Sequence, residues 1–242
     1  MRILIVNDDG MHAAALPHFI RWARKLGDVT CVVPKHEQSG KSQAIDFLHP
    51  VEIKEVPLSV DIRVWAMDST PADCVRFGAA GLKKDYDLIL SGINRGYNLG
   101  NDIAYSGTVG AINEGGRLGI PAIALSCDVG ALDEALSMLD HWWDFMNKSG
   151  LLEKGSMYNV NFPHCAIPKG IRVTRQGGEF YSDAFEYRGD NMYMQVGAPI
   201  PREGCDLTID IDAVHDGYIS ITPMAWKRMD PIVYEAVKDI AE

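Results

Sequence analysis

Short apolar runs alternate with longer stretches of helical period through much of the chain. Ile3–Val6 and Val29–Val33 are β-branched runs of strand length. Between them Leu16, Phe19, Ile20, Ala23 and Leu26 recur at the spacing that gathers side chains on one helix face. The alternation returns with Leu88–Leu90, a glycine-rich segment, and a helical stretch from Gly107 to Arg117. Ile120–Leu125 is a further run, and Leu132–Met146 a longer helical pattern. Strands separated by helices build βαβ units, so this pattern predicts an α/β fold with a mostly parallel sheet covered on both faces. Thr70-Pro71-Ala72-Asp73 reads as a helix start, with Thr at the N-cap, Pro at the first helical position and an acid in the first turn.

The pattern changes after about residue 155. Ile171–Thr174, Met192–Val196 and Tyr218–Thr222 are short alternating pieces in a segment rich in Tyr, Met and Gly. They predict antiparallel hairpins appended to the core, followed by a last helix over Ile232–Ile240. The expected organisation is one domain over 1–242, with an α/β core at 1–165 and a hairpin and helical extension at 166–242 used in oligomerisation.

Composition narrows the picture. The chain has 242 residues, 47% hydrophobic and 23% charged, so disorder, collagen and coiled coils are excluded. Its net charge of −10 argues against holding a nucleic-acid polymer, because that affinity depends on Lys and Arg neutralising phosphates. The longest stretch free of Asp, Glu, Lys and Arg, Gly155–Pro168, carries two Pro and two Asn, so no membrane span is expected. Five scattered cysteines without a C-x-x-C fit a reducing compartment, and a cytoplasmic location is expected.

Three segments could carry chemistry, since open parallel sheets bind ligands at the carboxyl ends of their strands. Asn7-Asp8-Asp9-Gly10 follows the first strand directly. Adjacent carboxylates repel, and a bound cation is the least costly way to keep both ionised; Mg²⁺ favours such oxygen ligands. A solvated turn with an Asp N-cap is the commoner source of this tetrapeptide taken alone. Ser91–Asp102 places three glycines and Asn94, Asn98 and Asn101 in one segment, supplying N–H groups for an anion and neutral amide oxygens for a metal. A Gly/Asn turn cluster is the plain alternative. Tyr105–Gly110 opens a helix, where free N–H groups and the positive dipole end suit phosphate, though ordinary capping by Ser106 explains the residues equally well. No G-x-G-x-x-G follows a strand, Gly40-Lys41-Ser42 lacks the glycine of a P-loop, and the histidines show no zinc spacing.

The segments ILIVNDDG (3–10), EQSG (37–40), STPADCV (69–75) and SGINRGYNLGNDIAYSGTVGAINEG (91–115) together resemble the SurE family of stationary-phase survival proteins. IPAIALS (120–126), YNVNFP (158–163) and AVHDGYISITP (213–223) extend the resemblance to nearly the whole chain. The family consists of metal-dependent nucleoside-monophosphate phosphatases. The resemblance implies a Rossmann-like three-layer core and one divalent ion per subunit, Mg²⁺ or Mn²⁺, held by Asp8, Asp9, Ser39 and Asn94. It places phosphate near Asn98, Ser106, Gly107 and Thr108, with Asp8 and Asn98 as the catalytic pair. It further implies hydrolysis of nucleoside 5′- and 3′-monophosphates, with short polyphosphate as a further substrate, in a homodimer or homotetramer exchanging C-terminal segments. A short helix near 208–214 is implied as well, where the residues themselves alternate like a strand. Two stretches bordering the site depart from the family pattern, Met11–Ala15 and Ser42–Asp46. A zinc-dependent amide hydrolase would want histidines flanking the Asp pair, and a non-catalytic nucleotide-binding module would have lost a metal ligand. Neither expectation fits these residues.

Overall fold

A computed structural model describes residues 1–202 and 204–240. Its centre is a nine-stranded sheet with strand order β3-β4-β2-β1-β5-β6-β7-β11-β8. The strands are β1 (Arg2–Val6), β2 (Asp28–Pro34), β3 (Ile53–Val56), β4 (Val64–Met67), β5 (Leu88–Arg95), β6 (Ala122–Cys127), β7 (Met157–Phe162), β8 (Gly170–Val173) and β11 (Tyr218–Pro223). Pairing is parallel except at β3–β4 and β7–β11. Helices cover both faces, as the α/β pattern requires. On one face α1 (Ala15–Ala23) and α4 (Leu132–Ser149) bury Phe19, Trp142 and Met146 against Ile3, Leu90 and Val160. On the other, α2 (Pro71–Arg76) and α3 (Gly107–Leu118) bury Val75, Val109 and Ile112 against Leu4, Ile89 and Ala122. Thr70 caps α2 as its sequence predicts, accepting the Asp73 N–H at 3.2 Å behind Pro71.

The chain leaves β1 toward β2 and β4 on one side, then returns to β5 and proceeds to β6 and β7 on the other. The strand order therefore reverses between β1 and β5, and a crevice for ligands opens at the carboxyl ends of strands at such a point. Asn7–Gly10 follows β1 directly, and Asn94 lies at the end of β5.

The C-terminal part differs from expectation. Ile171–Thr174 and Tyr218–Thr222 are not appended hairpins: β8 runs parallel to β11, and β11 pairs with β7, so both lie in the main sheet. Only β9 (Ala184–Gly189) and β10 (Met192–Val196) form a separate antiparallel hairpin. The stretch over 208–214 contains a helix, α6 (Asp210–His215), as the resemblance implies. The final helix, α7, spans Pro231–Val237. A four-residue helix, α5 (Leu151–Lys154), follows α4. Among the described residues, no helix is long and apolar enough to cross a membrane.

Candidate active site

The turn after β1 is built by Asn7 and Gly10. The Asn7 amide donates to the Gly10 carbonyl at 3.0 Å and accepts the Gly10 N–H at 3.2 Å. Gly10 has φ +87°, and a Cβ there would stand 3.0 Å from the His36 carbonyl carbon, so the turn requires glycine. The closed turn holds Asp8 and Asp9 at the carboxyl end of β1.

Asp8 is buried and meets the start of α3. Its Oδ2 accepts the Thr108 N–H at 3.0 Å, and its Oδ1 accepts the Thr108 hydroxyl at 2.5 Å. The carboxylate therefore sits at the positive end of a twelve-residue helix. The approach is close: a Cβ on Gly107 would stand 2.9 Å from Asp8 Cβ. The Asp8 carbonyl also accepts the Gln38 N–H at 2.7 Å, which draws the segment carrying Ser39 to the same place. Burial raises the Asp8 carboxyl above its ordinary value, against the two Thr108 bonds that lower it. For Asp9, burial first and the Asp8 charge second push the carboxyl up to about 6, with Arg95 acting in the opposite direction. Glu37 adds a third negative charge, raising both.

Asp9 Oδ2 is sealed from solvent and has no hydrogen-bond partner among the described residues. A buried acceptor left unmet costs about 1–3 kcal/mol, more when it is charged. A cation would meet that demand. Asn94 commits its Nδ2 to the Gly96 carbonyl at 2.8 Å, which leaves its neutral amide oxygen uncommitted by that bond. Asn94 owes its placement to a β-bulge: β5 advances from Ser91 to Asn94 while β6 advances only from Ala124 to Ser126. Ser39 Oγ donates to Glu37 Oε1 at 2.8 Å and keeps its lone pairs. Among the described residues, no group of three His, Cys, Asp or Glu side chains could hold a metal. Two carboxylates, a hydroxyl and an amide fit a hard divalent ion.

Ser106 caps α3, accepting the Val109 N–H at 3.1 Å. The Thr108 N–H serves Asp8, whereas the Gly107 N–H has no partner among the described residues. Asn98 makes its direct contacts elsewhere. It is 6% exposed, and its side chain bonds Ser126 while its main chain bonds Asn159 and Asn161 on β7. Sequence reasoning missed these three partners, together with Arg95 and the fully buried Asp210. The signal for β7 is an alternation in which Asn159 and Asn161 interleave with Tyr158, Val160 and Phe162. Concavity alone leads elsewhere: a cavity of about 480 Å³ lies at the opposite end of β2, lined by Asp28, Thr30, Arg63 and Lys84.

A family model described as "Survival protein SurE" matches residues 3–183. A "5'-nucleotidase SurE" of Syntrophomonas wolfei is 36% identical, over 95% of this chain and 90% of its own length. A protein of the same description from Caldanaerobacter subterraneus is 37% identical, covering 99% of this chain and 96% of its own. Among solved structures, the SurE protein from Aquifex aeolicus superposes with a TM-score of 0.82 at 32% identity, covering 98% of each chain.

Proposed function

Because the chain belongs to the SurE family, we propose that it is a phosphoric monoester hydrolase acting as a 5′-nucleotidase on nucleoside monophosphates. In the same reading it also takes 3′-monophosphates and short polyphosphate. The carrying observation is the Asp8–Asp9 pair at the strand-order reversal, with Asp9 Oδ2 buried and unmet. That demand suits a site that binds a cation and, through it, a small anion. It also reconciles an acidic protein with a phosphate substrate, because the charge is supplied locally.

One Mg²⁺ or Mn²⁺ per subunit would be held by Asp8, Asp9, Ser39 and Asn94. Such an ion, when bound, supplies Lewis acidity toward a phosphoryl oxygen and lowers the pKa of water at the site. The chain's residues do the rest. Ser106 keeps the first turn of α3 formed, so that the Gly107 N–H and the helix end face the phosphate. Asn98 donates to an equatorial oxygen as charge develops there. Thr108 orients the Asp8 carboxylate through both its donors. Asp8 takes the proton of the water that attacks phosphorus in line.

Assembly as a homodimer or homotetramer belongs to this reading. Phe185, Tyr187, Tyr193 and Met194 on the β9–β10 hairpin are exposed, as are Ile232, Val233 and Tyr234 on α7. An apolar surface of this extent is covered in a stable protein, and a second copy exchanging its C-terminal segments would cover it. The domain division at 165, with a core before and an assembling extension after, stands as part of the same proposal. The three buried free thiols Cys31, Cys74 and Cys127 suit a reducing cytoplasm.

The test is phosphate release from a panel of 5′- and 3′-mononucleotides and a short polyphosphate, with chelator and with ions restored. Release from nucleoside 5′-monophosphates that stops with chelator and returns with Mg²⁺ or Mn²⁺ is expected. Release from none of the panel under any ion would overturn the reading.

A further inference from the structure

Asn98 is gripped by side chains rather than by main chain. The Asn161 amide pairs with its peptide groups as a neighbouring strand would: Oδ1 accepts the Asn98 N–H at 2.9 Å and Nδ2 donates to the Asn98 carbonyl at 2.9 Å. Asn159 Nδ2 donates to the same carbonyl at 2.8 Å. Asn98 Nδ2 donates to Ser126 Oγ at 2.7 Å. Ser126, Asn159 and Asn161 are each fully buried.

We infer that Ser126, Asn159 and Asn161 are positioning residues that set Asn98 for phosphoryl transfer, an inference that rests on the phosphate role proposed for Asn98. Three features support it. Ser126 stands opposite Asn161 in the β6–β7 register, and β7 is flanked by β6 and β11, so the grip is mounted on the interior of the sheet. Asn159 keeps its Nδ2 on Asn98 although its own Oδ1 is buried without a partner among the described residues. An apolar residue would avoid that cost, so the donor itself is what the position retains. Ser126 Oγ accepts one Nδ2 hydrogen of Asn98, which fixes the amide plane and leaves the second Nδ2 hydrogen for a phosphate oxygen.

The test is a set of double-mutant cycles on the full chain. Ser126→Ala removes one oxygen and is expected to lower kcat about tenfold, with KM within about twofold of the parent. Asn161→Asp replaces the donor facing the Asn98 carbonyl with an acceptor and is expected to lower kcat by roughly 10–100-fold. Mn²⁺ affinity, titrated with the ion alone, stays at the parent value in both. In an Asn98→Ala background neither change costs further turnover, because the side chain they position is gone. Thermal melts report folding, and Ser126→Ala decides the matter if Asn161→Asp does not fold. Parental kcat in Ser126→Ala, or losses that add fully to that of Asn98→Ala, overturn the inference. Parental turnover in Asn98→Ala removes the phosphate role of Asn98 itself, and the inference with it.

Discussion

Two of the regions that bury carboxylate oxygens treat them differently. Asp210, at the start of α6, is fully buried and satisfied by main chain. The Gly177 and Ile211 N–H groups reach its Oδ1 at 2.8 Å, and the Gly100 N–H reaches Oδ2 at 3.0 Å. Burial pushes its carboxyl up, and those three bonds oppose the shift. At the exit of β1, Asp9 lies beside Asp8 and under the charge of Glu37, and its Oδ2 has nothing to accept. Burial of an acid therefore does not mark a site by itself. What differs is the partner set: Asp210 is a lock between the 99–101 loop and the C-terminal part, whereas Asp9 sits among other carboxylates with an acceptor unmet among the described residues.

The largest effect should fall on activity. Asp8→Asn or Asp9→Asn should lower hydrolysis by about 10³-fold or more, since ion-derived stabilisation of the transition state is worth several kcal/mol. The fold should survive, as read by circular dichroism. Asp210→Asn should do the reverse, lowering stability by about 2–3 kcal/mol in urea titrations while leaving Mn²⁺ affinity unchanged. Loss of ion affinity in Asp210→Asn comparable to that in Asp9→Asn would erase the contrast between the regions.

Next comes a pH effect on the ion-free protein. Asp9 is pushed up to about 6 from an ordinary value of 3.8, so the folded state holds its proton more tightly than the unfolded chain. The stability this lends is fully present below about pH 4 and is lost as pH rises through about 6. The shift corresponds to roughly 3 kcal/mol, or about 1–2 after allowance for partial exposure of the side chain. Ion-free Asp9→Asn should therefore be more stable than the parent at pH 7 by about 1–2 kcal/mol and lack that part of the decline. Equal stability of the two at pH 7, measured by chelated melts, would contradict an unmet charge at Asp9. The smallest effect lies outside both regions, at the start of α2: Thr70→Ala should cost about 1 kcal/mol in urea titrations, through the lost cap and the lost bond to the Ala44 carbonyl.

In the half of the fold ending at α4, β1, α1, β2, α3, β6 and α4 were legible because their buried faces are made of apolar residues at regular period, whereas the short strands β3 and β4 were not named. Three further pieces were not legible, each for a physical reason. The far end of β5 reads as a loop, since Gly92 and Asn94 disfavour strands and only the pairing with β6 keeps Asn94 and Arg95 extended. β7 reads as polar because Asn159 and Asn161 are buried against Asn98, a partner about sixty residues away that no local pattern reveals. Ile171–Thr174 and Tyr218–Thr222 show strand period, but period does not say which strand pairs with which, and they enter the main sheet rather than hairpins. At the site, Asp-Asp-Gly and the cap at Ser106 were visible as separate candidates. Their union through Thr108 spans a hundred residues and is a property of the fold. Asp210 gave no signal, because a structural acid and a surface acid look alike in one sequence.

The central claim is that Asp8 and Asp9 form a cation-dependent hydrolytic site. Its most direct test titrates Mn²⁺ into the chelator-treated protein while bound ion and phosphate release from a nucleoside 5′-monophosphate are followed together. Both should rise in parallel and level off at one ion per chain, and Asp9→Asn should show neither. Full hydrolysis by the ion-free protein, or by Asp9→Asn, would contradict the account.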